Sequence, residues 1–357
     1  MGVVSETNLP KKWNVILMQL GFKWVNSLKP MARNFQSFFA CWGKRSFPHK
    51  KCGFLGGIFL TFFLLGFSSQ SYNGFPVEHH AIPLDEILSG GPPKDGIPSL
   101  DNPQFVQAKD ADFLDDKDRV LGISGPHQAK AYPIKILNWH EIVNDTLGNL
   151  PIVMTYCPLC GSGIGFKRIV GTKVVTFGVS GLLYQSDLLM YDHQTNSLWS
   201  QMAMKAVTGD FVGQTLTPIF VEHTTWEDWR QTHPESLVLS IQTGHSRNYD
   251  RDPYAGYSKI DDLFFPVGRT DGRFPPKEWV LGVEVNEKFK AYPFMELRKT
   301  SGKIRDKLNG QDYVVWWDPQ SQNAKAIGET GFPLPAVQTY WFAWAAFHPE
   351  TEVFVAK

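Results

Sequence analysis

"VLGISGPHQAKAYPIKIL", Val120 to Leu137, is answered by "VLGVEVNEKFKAYPFMEL", Val280 to Leu297, at an offset of 160 residues. Further along, "TTWEDWRQTHPE" (Thr224 to Glu235) is answered by "TYWFAWAAFHPE" (Thr339 to Glu350) at an offset of 115. Self-similarity of this kind marks two copies of one structural unit. The offset shrinks by 45 residues, so the first copy holds chain that the second lacks. The expected fold is a β-rich α+β protein of two related lobes from an internal duplication. The second lobe lacks the cysteine pair and the 45-residue insertion.

Local patterns fill in the lobes. "RVLGI", "KAYP", "LPIVMTY", "VVTFGV", "DLLMYD", "SLWSQ" and "SLVLSIQ" read as strands, being rich in β-branched and aromatic residues. Pro133 suits the first turn of a short helix through "IKILNWHEIV", and "NDTLGN" reads as a turn. "TTWEDWRQTHPE" reads as a helix that opens on threonine and stops before Pro234. The implied organisation is a leader over 1–71, an extended arm over 72–115 and a first lobe over 116–245. A polar connecting loop over 246–278 and a degenerate second lobe over 279–357 follow.

The leader carries a basic stretch, "KRSFPHKK", and then an apolar run, "GFLGGIFLTFFLLGF" (Gly53 to Phe67). That length is short for a membrane span and suits a signal-peptide h-region, "SSQS" puts Ser69 and Ser71 at cleavage-like positions, and the leader is a signal peptide or an uncleaved signal anchor. Met31 is an alternative start. The basic flank stays inside, so the remainder is expected to be exported, periplasmic or extracellular, with the membrane contacted through the leader if it is uncleaved. Lysine plus arginine total 35, as do aspartate plus glutamate, so no charge excess points to nucleic acid. The expected partners are a small molecule or an envelope protein.

Export bears on the cysteines. Cys41 and Cys52 fall in the leader, which leaves Cys157 and Cys160 in "MTYCPLCGSG". Against the second copy, Cys157 faces Asp318, Cys160 faces Ser321 and His140 faces Thr300 or Ser301. Residues shared by both copies, among them Tyr132/Tyr292, Trp226/Trp341, Trp229/Trp344 and His233/His348, belong to the fold. Those confined to the first copy are the candidate site. Three readings stay open. In the first, Cys157, Cys160 and His140 bind Zn²⁺, copper or iron, with Asp187 orienting His140; two thiolates and an imidazole suit all three metals. In the second, Cys157 attacks and Cys160 resolves as a redox dithiol, although "GSGIGF" is a poor helix to follow it. In the third, the pair is a static staple in an envelope binding module, as an oxidising compartment allows. Cys157, Cys160 and Asp187 are the candidate catalytic residues.

At "TYCPLCGSG", "FGVSGLLYQSDLLMYDHQTNSLWSQ" and "ILNWHEIVND" the chain resembles an exported bacterial and archaeal family known only as domain of unknown function 3179. The resemblance runs from about Asp85 to the C-terminus. It implies a leader or anchor and marks His140, Cys157, Cys160, Ser180, Asp187, Asp192, Ser197, Trp199 and Gln201 as motif positions. Ser180, Asp192, Trp199 and Gln201 are the candidate cofactor-contacting residues among them. His193 stands where a basic residue such as arginine is usual, which argues against it as a ligand. The resemblance implies no reaction.

Overall fold

Glycine and tryptophan explain why the repeated segments look alike. In "VLG" of the first copy, a Cβ on Gly122 would lie 2.0 Å from the Trp229 ring; in the second, a Cβ on Gly282 would lie 2.2 Å from the Trp344 ring. Each indole lies flat on a bare strand backbone, which only glycine allows. Each indole N–H donates inward, Trp229 to Ser236 Oγ (3.0 Å) and Trp344 to Thr351 Oγ1 (2.9 Å). The two tyrosines of "KAYP" behave alike: Tyr132 donates to Asp145, which also pairs with Lys130, and Tyr292 donates to Asp306, which pairs with Lys290.

These residues are seen in a computed structural model that describes residues 71–357. Arg119–Ser124 pairs antiparallel with Ala129–Pro133, Leu121 opposite Tyr132; Trp279–Val285 pairs the same way with Lys288–Pro293, Leu281 opposite Tyr292. Each hairpin gains an antiparallel strand on one side, Glu222–Thr225 or Ala336–Tyr340. On the other side each gains a parallel one, Leu237–Leu239 or Glu352–Val353. A second sheet follows each hairpin. In the first copy it is Ile142–Leu147, Leu150–Cys157 and Ser162–Lys167, with Thr217–Ile219 on its edge; in the second it is Lys303–Leu308, Gln311–Asp318 and Asn323–Gly328. Apart from two two-stranded hairpins, one further sheet is described and has no counterpart: Phe177–Tyr184, Asp187–Asp192, Leu198–Ser200 and Lys205–Ala206, with Ile87–Ser89 added on its edge.

The two-lobe α+β expectation is overturned. The protein is a β-rich, five-bladed β-propeller. Each copy supplies two sheets and the chain found only in the first copy supplies the fifth. Blades bury their faces against their neighbours, so neither copy forms a lobe of its own. One apolar cluster accordingly contains Leu121 and Val153 of the first copy, Leu188 of the unmatched sheet, and Val280 and Trp341 of the second copy. The helices are short caps on this ring, seven residues at most among those described. Trp226–Thr232 opens on Thr225, whose side chain accepts from the Asp228 amide.

One local expectation also changes. "NDTLGN" is mostly strand, and its turn is confined to Gly148 and Asn149 between the paired Leu147 and Leu150. The segment 72–115 supplies edge strands to two blades, through Ile87–Ser89 and Phe105–Gln107. Among the described residues no helix is long and apolar enough to cross a membrane. The transmembrane anchor therefore has no counterpart in the described structure. Gly53 to Phe67, on which it rested, lies outside the described residues, as do Met31, Cys41, Cys52 and Ser69.

Candidate metal centre

Two hairpin turns meet at the site. The strand Leu150–Cys157 turns through "PLCG" into Ser162–Lys167, with Cys157 opposite Ser162. The turn is held by the Cys160 amide donating to Cys157 O (3.2 Å) and by Gly161 at φ 65°. The second copy braces it from outside: Tyr340 N and Thr339 Oγ1 both donate to Cys160 O, each at 2.8 Å. The other turn carries Gln185 and Ser186 at φ 52° and 63° before the strand Asp187–Asp192. Cys160 Sγ lies 3.4 Å from Ser186 O, which brings this turn against the first.

Cys157, Cys160 and Asp187 thereby converge. One ligand atom from each lies within 4.8 Å of the others, and all three residues are buried. Neither cysteine is in a disulfide. Asp187 Oδ2 accepts from the Met202 amide (3.0 Å), while Oδ1 has no hydrogen-bond partner. Burial raises Asp187 to about 7 and pushes both thiols up, Cys160 well above its ordinary range. After burial, the influences on these three acids are chiefly one another, Glu141 and backbone amides. Three buried acids that face chiefly one another are the donor set a cation would satisfy.

A family model described as protein of unknown function (DUF3179) matches residues 94–332. The chain belongs to the DUF3179 family. No curated protein and no solved structure matches it.

In this DUF3179 protein His140 is not part of the three-residue cluster. It ends the helix Ile134–His140, and both its ring nitrogens are engaged, Nδ1 with Pro98 O (2.8 Å) and Nε2 with Tyr249 Oη (2.7 Å). Burial lowers it to about 4, so the ring is neutral. Asp187, expected to orient a ligand histidine, is itself the third member of the cluster. The four expected cofactor contacts are buried and make bonds within the protein. Ser180 donates to Leu189 O (2.5 Å) and accepts from Leu182 N (3.0 Å), across the register shift between Val179 and Leu182. Asp192 accepts from Thr195 and from the Trp199 indole (2.9 Å). Gln201 bonds to Ser162 Oγ (2.6 Å) and Thr155 Oγ1 (2.8 Å), which fastens the unmatched blade to the cysteine hairpin. Ser197 bonds with Thr195 and the Phe211 amide. His193 is exposed and stacks on Tyr191 at 5.1 Å.

Two residues of the site carry no local sequence signal. Glu141 is 7% exposed, adopts φ 58° with ψ −34°, and is raised to about 8 by burial and then by the Asp187 charge. Tyr254, from the connecting segment, hydrogen-bonds its carboxyl. The second copy offers Ser301 or Gly302 near the Glu141 position and no acid, so the comparison that singled out the cysteines also singles out Glu141.

Proposed function

We propose that this chain is an exported metalloprotein that holds one divalent cation through Cys157, Cys160 and Asp187. The observation that carries the reading is the convergence of the three donors within 4.8 Å in a buried site. Two thiolates and one carboxylate suit a cation of borderline softness, Zn²⁺ above all and Fe²⁺ next. Three protein ligands are the pattern of catalytic zinc sites, which keep a fourth position open. A cation there would supply Lewis acidity. Export is supported by the basic-then-apolar leader, and it places the protein on the periplasmic or extracellular side.

The dithiol reading finds less support. A reactive cysteine needs its thiolate stabilised, commonly by a helix N-terminus or a basic neighbour. Here both thiols are pushed up by burial, and Cys160 is followed by the strand Ser162–Lys167. Metal analysis of the full chain, purified reduced and without a histidine tag, tests the proposal. One equivalent of zinc or iron per chain is expected, with loss on Cys157→Ser. A metal-free protein with both thiols free would refute it.

A further inference from the structure

A cavity of about 50 Å³ is lined by chain neighbours of the three donors, and its two polar lining residues, Glu141 and Tyr254, interact electrostatically with Asp187 and Cys157. Its wall touches each arm of the site. Leu159 lies between the two cysteines in sequence, Leu188 follows Asp187, and Val179 comes from the partner strand of the same blade. Ile97 closes another side, and Phe264 of the connecting segment packs over it. This lining is apolar apart from Glu141 and Tyr254. Glu141 is close enough to act electrostatically on Cys157 and Asp187, and its carbonyl accepts from the amide of Tyr156, next to Cys157.

The backbone at Glu141 supplies an independent sign. A non-glycine residue at positive φ is costly and persists only where surrounding structure enforces it, often at functional sites. This one caps the helix Ile134–His140 through its amide to Leu137 O (2.7 Å) and turns at once into the strand Ile142–Leu147. A carboxyl placed so, among aliphatic walls, adds nothing to an apolar core. We propose that this cavity is the substrate chamber of the metal site, taking a small neutral molecule with an apolar body and one polar end, which Glu141 hydrogen-bonds. The proposal rests on the metal reading above. Size sets the scale: a single water needs roughly 10–15 Å³ of such space and benzene fills an engineered cavity of about 150 Å³, so the occupant has roughly two to four non-hydrogen atoms.

The test uses the full chain loaded with Co²⁺, whose visible bands report on the ligands and on anything beside the ion. Acetone, acetamide and 2-propanol are the probes. At least one should shift the bands saturably. Glu141→Leu should weaken that binding by about tenfold, the worth of one well-made hydrogen bond, while the thiolate-to-cobalt bands remain present. Glu141→Gln, which keeps a hydrogen-bonding group, should restore most of it. Ile97→Phe should fill the cavity and block the probe. Absence of thiolate-to-cobalt bands overturns the metal reading and the chamber with it. Bands present but insensitive to all three probes overturn the chamber alone. So does a probe that binds Glu141→Leu and Ile97→Phe as tightly as the unaltered chain.

Discussion

Asp187→Asn should stabilise the metal-free protein while abolishing its metal binding. Asp187 is raised from an ordinary 3.8 to about 7, chiefly by burial. That rise of about three pH units corresponds to on the order of 4 kcal/mol of disfavour for the charged form. The folded state keeps the proton where the unfolded chain has released it, so this group lowers stability as pH climbs from 3.8 to about 7. Below that window the cost is absent, and above it the cost is constant. An asparagine carries no charge, and its oxygen can still accept from the Met202 amide; its new N–H₂ costs about 1 kcal/mol if unpaired. The net gain is about 3 kcal/mol at pH 8 and turns into a loss of about 1 kcal/mol at pH 3.5, where the charge penalty is absent and the unpaired N–H₂ remains. Urea unfolding of reduced, chelator-treated protein at both pH values measures it. With zinc present the sign reverses, because the unaltered chain gains binding energy that the variant loses. A metal-free Asp187→Asn protein less stable than the unaltered chain at pH 8 would refute the reasoning. So would a variant that retains stoichiometric metal.

Cys157→Ser and Cys160→Ser should each remove the metal, whereas Asp318→Ala and Ser321→Ala, at the matching positions of the second copy, should leave metal content unchanged. His140→Ala should keep the metal but cost about 1–3 kcal/mol in urea unfolding, since the Pro98 carbonyl loses its partner. Trp229→Ala and Trp344→Ala should cost similar amounts, about 3–5 kcal/mol each, because the two indoles fill equivalent places over Gly122 and Gly282. Metal affinity should fall as pH drops, since the raised thiols and Asp187 must all lose protons to ligate; a competition titration with a chromophoric chelator between pH 6 and 9 reads this.

Whatever depends on near neighbours along the chain is legible in the sequence by itself. The strand Leu150–Cys157, the hairpin turn at the cysteines and the threonine-capped helix Trp226–Thr232 follow from alternation, turn residues and capping, all local. The repeat is legible too, because Gly122 with Trp229 and Gly282 with Trp344 need the same residues for the same close contact. Tertiary structure decided how those pieces combine. Two copies of a two-sheet unit suggest two lobes, yet blades satisfy their faces against neighbours and close into five. The third member of the cluster was decided in the same way. His140 is nearer the cysteines in sequence, but its ring is held by partners 42 and 109 positions away. Asp187 reaches the sulfurs because its turn packs on theirs, Ser186 meeting Cys160 across 26 positions. Side-chain direction at the end of a helix or strand is set by such long-range contacts, and no local pattern encodes them.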